Sequence, residues 1–329
     1  MTTPLNQIRE QKIDDLVESL GSLQDGDLAI EMLVARGKKA IPYLSDFLLN
    51  RPPRTIALPR CRAVRALGEL GACSSLIAYF KKYKRPQDGA VLFAEDAVRS
   101  AAARELARYP STEVFRVLLD AAWERATGGL VLALGEFHRP EAVPLLFEIL
   151  EDDFCREDAM KALRKLPEAV RQFGILSVRG LTGVILDGPA AVRRRRATVQ
   201  LLSEVGVASS DWPELRKYLF ADDAATVVAT AKIGFTETSE ADWAAIIGVL
   251  FKIADRVNSL EEEEIEEMLD AHPVAARRVA IEIAKERQNH GEKPHWLSPF
   301  WRLLNHALGG TLETRSAHAQ RTGMRSKVG

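Results

Sequence analysis

The chain has 329 residues, of which 47% are hydrophobic and 7% aromatic, and its formal net charge is −1 at pH 7. Its longest apolar run, Ala244 to Phe251, is far shorter than the roughly 20 residues of a membrane-spanning helix, and the polar residues 1–10 lack a secretory apolar core. Cys61, Cys73 and Cys155 show no CxxC spacing, which argues against a disulfide or zinc framework and favours a reducing cytoplasm.

The first predicted element is an amphipathic helix over residues 5–20. Apolar side chains fall on or near one of its faces: Leu5, Ile8, Ile13, Leu16, Val17 and Leu20. An array of helical repeats needs such a cap, because its end repeat otherwise exposes a hydrophobic core. Residues 1–25 are therefore predicted to form an N-terminal capping helix with its connection.

Residues 26–257 repeat a helix–turn–helix pattern about seven times. Each copy is aligned on one anchor residue: Leu33, Leu67, Leu106, Leu134, Leu163, Leu202 and Thr230. Successive anchors are 28 to 39 residues apart. Internal repetition with this period predicts an all-α fold, a right-handed α-solenoid of stacked helix pairs.

Two further markers recur at fixed distances from the anchors. An arginine stands seven residues before four of them, at Arg60, Arg99, Arg156 and Arg195. A proline stands nine to eleven residues after three of them, at Pro42, Pro144 and Pro213, which is typical of the first turn of a second helix. In the same slot, Asp211-Trp212 and Asp242-Trp243 each predict an N-cap followed by an apolar side chain that covers the helix end.

These residues resemble HEAT-like repeats, particularly the short bacterial type also found in phycobilin lyases. The resemblance is carried by the recurring arginine, by Leu67-Gly-Glu-Leu-Gly71, and by a second helix that opens Ala142-Val-Pro-Leu-Leu146. It implies stacked helix pairs whose second helices line a concave surface, and an inter-repeat contact for the arginine. It implies little about activity, because function in such folds lies in sites added to the scaffold.

Two of the long spacings contain inserts. Residues 81–94 are polar and basic, whereas residues 174–188 are apolar and rich in glycine. The second insert is predicted to be a long second helix with a packed loop. An exposed hydrophobic contact surface is the alternative interpretation.

After Asp255 the pattern changes. Ser259-Leu-Glu-Glu262 predicts a capping box that opens an acidic helix ending near Leu269. Further helices are predicted over residues 274–288 and, as an aromatic C-terminal cap, over 294–308. The segment 309–329 is basic and has few apolar residues, so it is predicted to be a disordered tail.

Charge is distributed unevenly. Twelve Lys and Arg but two acidic residues lie between Arg36 and Arg85, while eleven Asp and Glu but two basic residues lie between Glu237 and Asp270. This asymmetry predicts an acidic partner at the basic end, or head-to-tail self-association of the chain. The candidate partner-binding residues are Lys38, Lys39, Lys81, Lys82, Tyr83, Lys84, Arg85, Arg193, Arg194 and Arg196.

Nucleic acid is an alternative partner. The basic stretch interleaves the aromatic residues Tyr43, Tyr79, Phe80 and Tyr83, and this combination holds phosphates and stacks bases in other proteins. The run Arg193–Arg196 has the same two interpretations, but Arg195 occupies the recurring position, which favours a structural role. The chain as a whole is not basic, which also disfavours nucleic acid.

No motif supports catalysis, a cofactor or a metal. The chain lacks a P-loop and a nucleophile elbow, and His290 and His295 lack partners that would complete a metal set. The sequence therefore predicts a non-enzymatic cytoplasmic scaffold that binds another protein and no membrane. A nucleic-acid-binding stack that uses the basic first half is the alternative, and a bilin lyase-like or chaperone-like subunit is a weaker one.

Overall fold

The structure, a computed structural model, describes residues 12–180, 188–293, 295 and 297–310. These residues form two compact units, unit 1 up to Ala169 and unit 2 from Val170. The helices of unit 1 are α1 Ile13–Ser19, α2 Gly26–Ala35, α3 Ile41–Leu49, α4 Leu58–Glu69, α5 Cys73–Lys82, α6 Gly89–Ala107, α7 Thr112–Glu124, α8 Gly128–Glu136, α9 Val143–Ile149 and α10 Arg156–Arg164.

Helix α11, Pro167–Gly180, includes the boundary between the units. Unit 2 continues with α12 Pro189–Val205, α13 Trp212–Leu215, α14 Ala224–Glu237, α15 Glu240–Ile253, α16 Ser259–Ala271, α17 Pro273–Asn289 and α18 Pro299–Ala307. The described residues contain short 3-10 turns but no strand, which confirms the predicted all-α class. None of the helices in these ranges is long and apolar enough to cross a membrane.

The helices of unit 1 pack in two rows. In the first row, α2, α4, α6, α8 and α10 each pack against the next member, and α1, α3, α5 and α7 do the same in the second row. Neighbouring first-row helices run parallel. Near the helix starts Arg60 of α4 contacts Glu95 of α6, and near the helix ends the hydroxyl of Tyr109 donates to the carbonyl oxygen of Gly68.

Each of the seven anchors is fully buried in a helix of its own. They lie in α2, α4, α6, α8, α10, α12 and α14, and every one has 0% exposure. Burial of a leucine side chain stabilises a fold by about 1.5–3 kcal/mol. The anchor register predicted from the sequence is therefore confirmed as the pattern of core residues, including Thr230.

Glycines let the first-row backbones approach one another closely. A Cβ atom on Gly129 of α8 would lie 2.4 Å from the carbonyl oxygen of Ser100 in α6. A Cβ atom on Gly135 would lie 2.8 Å from the Cα atom of Ala162 in α10. Backbone atoms cannot move aside as a flexible side chain can, so a larger residue at either position would force these helices apart.

A left-handed residue follows the anchor by four positions in four of the repeats. These residues are Gly37, Gly71, His138 and Gly206, with φ values of 62°, 68°, 52° and 79°. Glycine adopts this conformation readily, whereas an L side chain makes it costly. The turn ends the first helix at a constant distance from its anchor, and Gly71 belongs to the motif Leu67–Gly71 that carries the repeat resemblance.

The predicted helix starts are confirmed for the prolines and are partly wrong for the caps. Pro42, Pro144 and Pro213 each stand at the second position of a helix. Asp211 precedes α13 at the N-cap, but its side chain makes no capping hydrogen bond. Asp242 is the third residue of α15, which begins at Glu240 after Ser239, so the predicted N-cap at Asp242 is wrong.

In unit 2, α12, α14, α16 and α18 pack in one row, and α15 packs against α17. The capping box of α16 is formed by Asn258 and Glu261, one residue before the predicted pair. The backbone N–H of Glu261 donates to Asn258 Oδ1, and the backbone N–H of Asn258 donates to the Glu261 carboxylate. Helix α18 buries Phe300 and Trp301, as expected of a terminal cap. The predicted tail, the residues before Lys12 and part of the 174–188 insert lie outside the described residues.

The buried anchors generate a stability prediction. Leu134→Ala should lower the free energy of unfolding by about 2–5 kcal/mol, because truncation leaves a cavity at a fully buried site. Leu23→Ala is the control, since Leu23 is 84% exposed and should change stability by less than about 0.5 kcal/mol. Urea unfolding followed by circular dichroism measures both, and equal midpoints would show that the register is misplaced.

The left-handed turn generates a second prediction. His138→Gly should raise stability by up to about 1 kcal/mol, because the strain of an L side chain is removed and is partly offset by the backbone entropy of glycine. Gly71→Ala at the equivalent position should lower stability. A lower melting temperature for His138→Gly would mean that the contact of the imidazole Nδ1 with the Glu136 carbonyl, 3.0 Å long, outweighs the strain.

Candidate interaction surfaces

The first pair of candidate residues lies in the turn between α2 and α3. Lys38 and Lys39 belong to the 3-10 turn Gly37–Ala40, and both side chains are exposed. Neither ammonium group has an ion-pair partner among the residues that the structure describes. The pair is therefore available to an anionic group on another molecule.

The second group, Lys81–Arg85, begins in the last turn of α5 and is called the basic segment below. Lys81 and Lys82 stand where positive charge favourably meets the negative end of a helix dipole. Lys81 also forms an exposed ion pair with Glu113, with 2.8 Å between Nζ and Oε1. Lys82, Lys84 and Arg85 are exposed and make no ion pair within the described ranges.

Tyr83 does not offer its ring to solvent in the way that base stacking requires. The guanidinium carbon of Arg99, a fully buried residue, lies 4.3 Å from the centroid of the Tyr83 ring. Burial is the main cause that raises the pKa of the Tyr83 phenol. Tyr79 and Phe80 are also buried, so of the four predicted stacking residues only Tyr43 is exposed. The predicted combination of phosphate contacts with base stacking is therefore incomplete.

Arg60 belongs to a buried polar cluster that connects α4, α5 and α6. Its Nε lies 2.8 Å from Glu95 Oε1, and the hydroxyl of Tyr79 donates to Glu95 Oε2 at 2.9 Å. Glu95 is 2% exposed. Burial first, and the negative charge of Glu95 second, raise the pKa of Tyr79, so its hydroxyl remains a donor. Arg60 therefore has a structural role, because its charge pairs with a buried carboxylate.

The other recurring arginines also make contacts within their own unit. Arg99 donates to the carbonyl oxygen of Ala121 in α7 at 2.7 Å, and Arg156 donates to that of Leu150 at 3.0 Å. In unit 2 the guanidinium of Arg195 lies 5.8 Å from the ring centroid of Tyr218. The contact of Arg99 joins α6 and α7, the two helices of one predicted pair, whereas the pair of Arg60 with Glu95 joins successive first-row helices, which is the kind of contact that the repeat resemblance implies.

The arginine run of α12 lies in unit 2, apart in the chain from the lysine groups of unit 1. Arg196 is half exposed and faces two carboxylates, Asp223 at 3.8 Å and Glu261 at 3.6 Å. Arg193 and Arg194 are half-buried. The run is therefore a weaker anion site than its sequence indicates, since acidic groups of the same unit already balance part of its charge.

Part of the acidic stretch is also neutralised inside unit 2. Glu262 forms a two-fold hydrogen-bonded ion pair with Arg302 of α18, at 2.7 Å and 2.5 Å. Burial is the main cause that raises the pKa of Glu264, and the neighbouring carboxylates of Glu261, Glu267 and Glu204 add to it. The acidic face of α16 is therefore smaller than the count of its glutamates indicates.

No group of three His, Cys, Asp or Glu side chains in the described part of the chain has a geometry that could hold a metal ion. The three cysteines are free thiols, and burial raises the pKa of Cys155 to about 11.

No family model, curated protein or solved structure matches this chain. The function must therefore be argued from the surfaces themselves.

The buried cluster generates a third prediction. Glu95→Ala should destabilise the protein by about 3–5 kcal/mol, because it leaves the charge of Arg60 buried without its partner. Glu113→Ala removes the carboxylate of the exposed pair with Lys81 and should cost no more than about 1 kcal/mol. Urea unfolding compares the two variants. Similar unfolding midpoints for the two variants would mean that water reaches Arg60 and solvates its charge.

Proposed function

We propose that this chain is a HEAT-like α-solenoid that serves as a non-enzymatic, cytoplasmic scaffold and binds another protein. The packing of both units supports the repeat architecture, since helices contact near neighbours in the chain and alternate between rows. In such arrays the outer surfaces of the rows are left for partners. The basic segment is the proposed electrostatic part of the contact, whereas the two lysines after α2 lie at the end of a first-row helix, away from the helix starts.

The observation that carries this proposal is a set of exposed apolar side chains at the starts of first-row helices. Leu28 of α2, Leu58 of α4, Phe93 of α6 and Phe154 before α10 form this apolar edge of unit 1. Phe93 and Phe154 are 72% and 94% exposed. Because the first-row helices run parallel, their starts share one side of the unit. Large apolar side chains exposed in this way are typical of protein interfaces.

The concave side needs a different assignment from the one that the repeat resemblance implies. A stack of helices curves toward the row whose members approach more closely. In unit 1 the close approach occurs in the first row, at Gly129 and Gly135. We therefore propose that the first row, and not the second, lines the concave side of this unit.

The nucleic-acid alternative retains one supporting observation, the unpaired cations of the basic segment. The burial of Tyr79 and Phe80, and the packing of Tyr83 on Arg99, weaken it because they remove stacking rings. Head-to-tail self-association remains a second mode of protein binding. No contact in the described residues favours a bilin lyase-like role.

The proposal predicts a charge-dependent protein contact. Changing Lys82, Lys84 and Arg85 together to Glu should leave the melting temperature nearly unaltered and reduce partner capture at least about tenfold, since three repulsive charges replace three attractive ones. Capture is measured on nuclease-treated extract of the native cell by quantitative mass spectrometry. Sedimentation of the purified chain tests self-association at the same time.

The control variant changes three exposed cations of α17 in unit 2 to Glu. These are Arg277, Arg278 and Lys285. It changes the net charge equally and should leave capture intact. Capture that disappears with nuclease would replace the protein partner by nucleic acid. Equal loss with both triple variants, or no loss with either, would contradict the assignment of the contact to the basic segment.

A further inference from the structure

Three arginines converge on a small pocket in unit 1, between α1, α3 and the start of α4. Its volume is about 150 Å³, and its charged lining consists of Arg51, Arg54, Arg60 and Glu18. Phe47 and Ile56 supply apolar walls. None of these side chains belongs to the candidate residues that the sequence analysis selected, so this arginine pocket is a separate site.

Two of the three arginines are held in place by the fold. The guanidinium carbon of Arg51 lies 4.8 Å from the ring centroid of Phe47, and its Nη1 lies 2.5 Å from Glu18 Oε1. Arg60 is fixed by its buried pair with Glu95, and its Nη1 donates to the carbonyl oxygen of Arg51 at 3.3 Å. The pocket therefore presents positive groups whose positions are set before a ligand arrives.

The third arginine leaves a positive charge without a partner. Arg54 is exposed and makes no hydrogen bond or ion pair with its side chain in the described part of the chain. Glu18 balances Arg51 and Glu95 balances Arg60, so the charge of Arg54 is the excess. One negative charge from outside would restore neutrality at this pocket.

The size and the walls of the pocket select the kind of anion. Pockets for small molecules and cofactors usually measure about 300–1,000 Å³, which is well above the volume found here. A volume of about 150 Å³ suits a single side chain. The rings and methyl groups of Phe47 and Ile56 match the methylene groups of an acidic side chain. Ile56 is 67% exposed, so the wall reaches the surface where a partner would lie.

We propose that the arginine pocket receives the carboxylate of a glutamate or aspartate side chain from an acidic segment of a partner protein. This inference rests on the proposed scaffold function and specifies the group that is recognised. Glu18 shows the same chemistry within the chain. Its pair with Arg51 is largely solvent-exposed, at 65% and 41% of the two side chains, and such pairs are weak enough to be displaced.

The test measures binding of a fluorescein-labelled oligoglutamate peptide to the full chain by fluorescence anisotropy at low ionic strength. Arg54→Gln should weaken binding about two- to fivefold, which corresponds to the loss of one exposed ion pair. Glu18→Gln should strengthen binding by a similar factor, because it removes the carboxylate that competes for Arg51. The two variants are expected to move the dissociation constant in opposite directions at unchanged melting temperatures.

Arg65→Gln is the matched control, because Arg65 lies on α4 in the same basic stretch and pairs with Glu69 outside the pocket. It should leave binding nearly unchanged. Equal weakening by Arg54→Gln and Arg65→Gln would overturn the pocket, since only a diffuse field would be acting, while the scaffold function would stand. A Glu18→Gln variant that does not bind more tightly would also overturn it. A larger effect of Arg54→Gln on a labelled oligothymidylate than on the peptide would replace carboxylate by phosphate.

Discussion

The backbones of α6, α8 and α10 lie so close together that Gly129 and Gly135 have no room for a side chain. Much of unit 1 follows from this approach. The anchors of these three helices, Leu106, Leu134 and Leu163, are fully buried, and in a densely packed interior each methylene group contributes to stability. The close approach also places the starts of parallel helices side by side, so that the residues just before each helix start lie along one edge of the unit.

The packing of first-row helices against one another also explains why charged side chains are found deep in a small helical unit. An arginine near the start of a first helix has a neighbouring helix within reach, and its long stem passes through the apolar layer before the guanidinium meets a carboxylate or a carbonyl oxygen. Arg60 finds Glu95, and Arg62 donates to the carbonyl oxygens of Leu20 and Ser22 at 3.0 Å and 2.5 Å. Such arginines specify how neighbouring helices align, because their guanidinium groups already meet acceptors within the unit.

The sequence predicted the core because burial imposes a strict spacing on apolar residues. All seven anchors and the three proline positions follow from that spacing, and the structure confirms them. The exact helix starts were harder to predict. The N-cap of α16 is Asn258 and not the adjacent Ser259, and asparagine and serine side chains have similar capping ability.

The surfaces could be predicted less well. The burial of Tyr79 and the packing of Tyr83 on Arg99 depend on residues many positions away in the chain, and periodicity contains no information on such pairs. The arginine pocket was missed for the same reason, since Arg51 and Arg54 lie in a connection that reads as a polar loop. A further signal in the sequence is the glycine four positions after the anchor, at Gly37, Gly71 and Gly206, of which only Gly71 entered the repeat motif.

The position of the left-handed turn separates a part of constant length in each predicted repeat from a part of variable length. The distance from anchor to turn is the same in repeats whose total lengths differ by up to eleven residues, so the variation in length falls elsewhere, including the passage from a second helix to the next first helix. This passage carries Phe154 and the loop of the arginine pocket, and it leads into the first turns of α6, where Phe93 lies. Insertions and deletions there would reshape this exposed edge while leaving the buried anchors in place, so the length of the chain can change at the edge at little cost to the core.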